Sequence, residues 1–205
     1  MESNLKAHWE HIYRTRQASE LSWTQQVPQV SLDFIDSFGL NPDARILDVG
    51  GGDSRLVDHL LERGFRRITV LDISEHSLDR ARRRLGDRAS EVEWVVSDVL
   101  GYQPPAPLDL WHDRAVFHFL SEASEIQDYV RLCRRFASGF LVLGTFSEHG
   151  PGSCSGLPVR AYSRQQLTDV FRKDFDKIRC IHVDHETPFH SHQEFTFCSF
   201  RHRAA

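Results

Sequence analysis

Lysine is nearly missing from this chain. It occurs only at Lys6, Lys173 and Lys177, and arginine supplies the rest of the 25 basic residues. Against 29 acidic residues the net charge is −4, which excludes a binder that engages nucleic acid through a strongly basic surface. Cysteine is scarce too: Cys133, Cys154, Cys180 and Cys198 are scattered, with no CxxC pair. That pattern reads as free thiols in a reducing compartment. Long apolar runs are absent, and no stretch approaches the ~18 residues of a membrane span. The opening MESNLKAHWEHIYR has no apolar core of a signal peptide. A soluble, cytoplasmic protein is therefore expected, with no membrane or nucleic-acid partner.

What is present is globular. Hydrophobic residues make up 40% and charged residues 26%, near ordinary averages. A chain of 205 residues fits one domain and can bury a core without a metal or disulfide staple. Residues 4–16 and 28–38 have the apolar spacing of helices, with Trp9 and Tyr13 on one face of the first. We read residues 1–40 as a helical cap on a core of 41–205. From residue 45 strands alternate with helices: strands at 45–49, 67–72, 91–96, 108–112 and 139–145, helices at 54–63, 75–85 and 122–137. This rhythm predicts an α/β fold, a parallel sheet covered on both faces. After an irregular loop at 147–160 and a helix at 163–173, strand-like runs at 175–184 and 193–201 should pair as an antiparallel hairpin. The expected sheet is seven-stranded, doubly wound and mostly parallel.

The most informative stretch is Arg45-Ile-Leu-Asp-Val-Gly-Gly-Gly-Asp-Ser54. A short apolar strand ends in an acid and three glycines, and a helix follows. Glycine lets the backbone turn sharply and approach a ligand. A dinucleotide site would want Gly-x-Gly-x-x-Gly, but Arg55 stands where the third glycine belongs. Asp72 ends the next strand, 24 residues after Asp48, close to the ~20 expected of an acid reaching ribose hydroxyls. Asp98 ends the strand after that, where a carboxylate can accept from an adenine amino group. An acid at a strand end is also often only a turn or cap residue.

Three successive strands ending in acids behind a glycine turn resemble the class I S-adenosylmethionine-dependent methyltransferases, and so does the terminal hairpin. The resemblance covers roughly residues 44–202 and implies a Rossmann-like sheet with S-adenosyl-L-methionine as cofactor. It implies that Asp48, Gly50 and Gly52 wrap the methionine part. Asp72 would take the ribose, Ile73 would pack on the adenine, and Asp98 with Val99 would meet its edge. His112 would face the methionine moiety and the substrate. The segments HWEHIYRTRQASELSW and DVGGGDSRLVDHLLERGFRRITVLDIS further resemble eukaryotic lysine methyltransferases of elongation factors. On that likeness Tyr13 and Trp23 fold over the cofactor; the other reading is that they only pack the first helix onto the domain. LWHDRAVFHFL at 110–120 is instead similar to small bacterial methyltransferases.

Substrate sites in open parallel sheets lie beyond the strand C-termini. The catalytic candidates are therefore Asp113 and His118; His118 has the intrinsic pKa of a general base but reads equally as a half-buried residue of AVFHFL. Arg114, Cys154, Arg160 and Tyr162 are candidate substrate contacts. Histidines number twelve, yet their placement at 182–192 does not read as a metal site, and none is expected. The resulting expectation is a methyltransferase acting on a small-molecule acceptor. Protein-lysine methylation, a non-catalytic cofactor-binding domain and, more distantly, an NAD-dependent oxidoreductase remain alternatives.

Overall fold

The computed structural model describes residues 2–203. A seven-stranded sheet forms its centre. Strands β1 (Arg45–Val49), β2 (Arg67–Asp72), β3 (Val92–Val96), β4 (Leu108–Arg114) and β5 (Ala137–Phe146) pair in parallel. A two-stranded antiparallel pair, β6 (Ser153–Cys154) and β7 (Leu157–Pro158), stands outside the sheet. The last two strands, β8 (Phe175–Glu186) and β9 (His192–His202), form a long hairpin, and β9 inserts antiparallel beside β5. The order is β3-β2-β1-β4-β5-β9-β8. The chain reverses its direction of winding between β1 and β4, and a crevice opens at the carboxyl ends of these strands.

Helices α1 (Glu2–Thr15), α2 (Gln29–Asp36), α3 (Leu56–Glu62), α4 (Glu75–Leu85), α5 (Ala123–Phe136) and α6 (Arg164–Phe171) cover the sheet. Their ends follow local chemistry. In α4 the Ser74 side chain accepts from the Ser77 N–H, Glu75 sits in the first turn and Arg82 to Arg84 in the last, and Gly86 closes it at φ +58°. In α5, Glu122 and Glu125 cap each other's backbone.

Both sheet faces are buried, so the inner strands read as nearly continuous apolar runs. Side-chain alternation divides them into two cores. Ile46, Leu110, Val142 and Phe197 pack with α2 and α3 on one face. Leu47, Val49, Trp111, Leu143 and Phe200 pack with α5 and α6 on the other.

The strand and helix order agrees with the sequence reading, with ends shifting by a few residues. The 147–160 loop differs, because it folds β6 and β7 into a small antiparallel pair. The cysteine expectation is corrected. Cys133 and Cys154 are free and buried, but Cys180 and Cys198 face each other across β8 and β9 and are disulfide-bonded. Scattered positions in sequence gave no sign of this, because the hairpin register alone brings the two Cα atoms to 4.1 Å.

Closing the intervening loop with a covalent bond restricts the unfolded chain. Reduction of Cys180–Cys198 is expected to lower the unfolding free energy by about 3 kcal/mol, on the scale of a loop this long. Urea unfolding with and without reductant checks this, and Cys180→Ser should match the reduced protein and ignore reductant.

Candidate functional site

A cavity of about 1210 Å³ occupies the crevice. Its floor is the glycine turn after β1. Gly50 and Gly52 adopt φ +65° and +48°, a region that favours glycine. A Cβ on Gly50 would lie 2.0 Å from Val116 Cγ2, and one on Gly52 would lie 2.9 Å from the Tyr13 hydroxyl. The turn is tied down by Gly51 N–H donating to Leu71 O and Ser54 N–H donating to Gly51 O. Arg84 reaches from α4 to the carbonyls of Asp53 and Ser54 while pairing with Asp58.

Asp72 closes β2 at the cavity wall. One oxygen accepts from the Ser74 N–H at 2.8 Å. Burial outweighs that bond, and nearby Asp53 and Asp48 add to it, so its pKa is raised to about 7. Asp98 follows β3, where its carboxylate accepts from the Leu100 N–H at 2.8 Å. Ile73 and Val99 line the same wall.

Parallel pairing sets Asp48 opposite His112. The His112 ring bonds Asp48 through Nδ1 at 2.7 Å and Ser31 Oγ through Nε2 at 2.8 Å. All three residues line the cavity. Beyond His112 the chain bends: Ala115 adopts φ +72°, an unusual value for a residue with a side chain, of the kind that gathers at functional sites. Arg114, just before the bend, donates to Gln25 Oε1 at 2.6 Å and to the Trp23 carbonyl.

Helix α1 covers one side. Glu10 accepts from the Glu75 and His76 N–H groups at the start of α4. Arg80 of α4 donates to the carbonyls of Tyr13 and Arg16 near the end of α1. Aromatic rings fill the seam, with Trp9 at 5.3 Å from Phe119 and 5.9 Å from Trp23. Tyr13 is buried beside Asp72 and Asp53, and burial first, then these charges, hold its hydroxyl well above its ordinary pKa.

Of the residues singled out from sequence, Tyr13, Trp23, Asp48, Gly50, Asp72, Ile73, Asp98, Val99, His112, Arg114 and Cys154 meet in this one cavity. Gly52 lies behind the Tyr13 hydroxyl. The catalytic candidates are corrected. Asp113 points to the opposite sheet face from His112, where its buried carboxylate accepts from Tyr129 and from the Val116 and Phe117 N–H groups. It shapes the bend from behind. His118 is fully buried off the cavity, its Nδ1 accepting from the Phe146 N–H, and burial takes its pKa down to about 3. Arg160 is exposed, its guanidinium 5.5 Å from the Tyr162 ring, and Tyr162 is buried in the second core. Neither lines the cavity. Burial raises the Cys154 thiol to about 11, which leaves it unreactive at neutral pH. Ser31 and Gln25 went unread because their partners lie 81 and 89 residues away, and Gln193 because only the folded hairpin brings it to the cavity. Among the described residues no group of three or more His, Cys, Asp or Glu is placed to hold a metal, and no helix is long and apolar enough to cross a membrane.

A doubly wound sheet with a glycine cradle and an acid at the end of each following strand defines a nucleoside-cofactor enzyme. A family model described as a methyltransferase domain matches residues 46–138. Nodulation protein S of Rhizobium tropici is 32% identical over 165 residues, 76% of this chain and 68% of that protein. The N-terminal Xaa-Pro-Lys N-methyltransferase 1 of Danio rerio is 30% identical over 91 residues, 43% of this chain and 40% of that one. Among solved structures, the N-methyltransferase NodS of Bradyrhizobium japonicum, in complex with S-adenosylhomocysteine, superposes with a TM-score of 0.70 at 17% identity, covering 95% of this chain and 98% of that one. The chain belongs to the S-adenosylmethionine-dependent methyltransferases, and S-adenosylmethionine is its cofactor. The residues fit that group: the turn leaves no room for a Cβ, and a buried carboxylate at the end of β2 can accept from hydroxyl donors.

With Asp72 assigned to the ribose, whose hydroxyls would favour the ionised carboxylate, cofactor affinity is expected to fall as pH drops below about 7 and level off above it. Calorimetry with S-adenosylhomocysteine from pH 5.5 to 8.5 reads this, and Asp72→Asn should flatten the profile and lose at least about tenfold in affinity. Asp113→Ala strands buried donors and should destabilise the fold by about 3 kcal/mol in urea titration.

Proposed function

We propose that the chain transfers the methyl group to a nitrogen of a small-molecule acceptor. The kinship with nodulation protein S carries this reading, since the NodS structure is described as an N-methyltransferase. The bound cofactor supplies a methyl already activated on a sulfonium, so alignment and exclusion of water do most of the work. In this reading Asp48, Gly50 and Gly52 hold the methionine part, Asp72 the ribose, and Ile73, Asp98 and Val99 the adenine. Residues 1–40 serve as the cap on a core of 41–205, with Tyr13 and Trp23 over the cofactor. The same cavity continues past the glycine turn to Arg114, Phe146, Cys154 and Phe195, which leaves a region for an acceptor.

A neutral amine attacks with its lone pair and must then shed a proton. The group suited to receive it is His112. Asp48 fixes the ring through Nδ1, and Nε2 reaches the cavity through Ser31 Oγ. The acceptor N–H gives its proton to Ser31 Oγ as the Ser31 proton passes to His112 Nε2. This replaces Asp113 and His118 in the role first assigned to them.

Labelled S-adenosylmethionine offered with amine, thiol, hydroxyl and carboxyl acceptors is expected to label amines; label on only the other classes would overturn the reading. With an amine acceptor, His112→Asn should lower kcat about a hundredfold, with the donor's KM changed little.

A further inference from the structure

The far end of the cavity is built from the ends of β4 and β5, the β6–β7 pair and the start of β9. Its walls are apolar: Phe146, Cys154, Leu157 and Phe195. Arg114 and Gln193 interrupt them.

Arg114 is half-buried, and among the described residues its guanidinium pairs with no carboxylate. It bonds neutral partners, Gln25 Oε1 and the Trp23 carbonyl. The carboxylate whose charge acts on it is Asp48, which already accepts from His112. Desolvation brings Arg114 down to about 10, so it stays charged at neutral pH.

The guanidinium is also held still. Gln25 bonds His185 Nδ1 through its Nε2, and His185 Nε2 bonds the Ser22 carbonyl. His185 pairs across the hairpin with Gln193. Gln193 Oε1 is buried and has no hydrogen-bond partner. A desolvated cation without a counter-charge and an orphaned acceptor are each unfavourable, unless a ligand completes them. The planar fork of arginine matches a carboxylate.

We propose that Arg114 binds a carboxylate of the methyl acceptor and that Gln193 Oε1 accepts a hydrogen bond from an N–H or O–H of the same molecule. The acceptor class is thus a small amine with an apolar body and a carboxylate. This rests on the small-molecule nitrogen reading above and narrows it.

The probes are 4-aminobenzoate and 4-aminobenzamide, which share a ring and an amine and differ in charge. Calorimetry on protein loaded with S-adenosylhomocysteine should find the carboxylate bound at least about tenfold tighter, the scale of a charge-assisted pair. Arg114→Met should erase the preference, and Gln193→Leu should weaken both probes severalfold. Arg114→Gln, which keeps a donor for Gln25, serves if the methionine variant does not fold. Equal affinity for the two probes, no binding of 4-aminobenzoate, or a preference that survives loss of the charge would each overturn the proposal. So would a tenfold loss of S-adenosylhomocysteine affinity in Arg114→Met with 5′-methylthioadenosine unchanged, since Arg114 would then serve the cofactor's carboxylate. The broader readings fail separately. Wild-type protein that does not bind S-adenosylhomocysteine contradicts the cofactor site, and label transferred only to non-nitrogen acceptors contradicts the nitrogen reading while the carboxylate preference stands.

Discussion

The parallel register between β1 and β4 sets Asp48 beside His112, and most of the site depends on that pairing. A shift of one residue would turn Asp48 and His112 toward opposite faces and leave two buried polar groups unpaired. The register is held by the apolar residues below them, Ile46 beside Leu110 and Leu47 beside Trp111, each pair inside a different core. Hydrophobic packing on both faces therefore fixes where the polar chemistry sits. The same alternation turns Asp113 away, so its carboxylate braces the bend through Tyr129, Val116 and Phe117.

The bend transmits this order to the cofactor cradle. Val116 packs so closely on Gly50 that no Cβ fits there, and Ala115 takes up the left-handed turn that permits the approach. On the other side α4 acts as an anchor. Its first N–H groups bind Glu10, Arg80 holds the end of α1, and Arg84 clamps the carbonyls of the glycine turn. Helix α1, the glycine turn and the sheet are thus joined by charge-assisted bonds from one helix, each stronger than a neutral bond. The open end, where Arg114 and Gln193 lack partners of matching chemistry, is the part of the cavity left incomplete within the chain.

Much of this was legible in the sequence. The alternation of strand and helix, the Gly-x-Gly turn and acids at 48, 72 and 98 are local signals, each spelled out within a few residues. Strand lengths and helix stops such as Gly86 are local in the same way. They were enough for the fold, the cofactor and the crevice wall proposed to receive it. Asp113 and His118 misled because residue type and nearness to a strand end were weighed without side-chain direction. One faces the opposite layer and the other is buried away from the cavity against the Phe146 backbone.

By itself the sequence determined a doubly wound methyltransferase sheet with its glycine cradle and its row of acids, because backbone conformation and strand patterning are written residue by residue. Tertiary structure decided which titratable group meets the cavity, that Ser31 and Asp48 flank His112, that Cys180 bonds Cys198, and that Arg114 is a cation without a counter-charge among the described residues. Those facts depend on partners brought together by register, helix docking and a hairpin, often from 60 or more residues apart, as Asp48 and His112 are at a separation of 64. Such distances leave no local mark in the chain, and only the folded packing creates them.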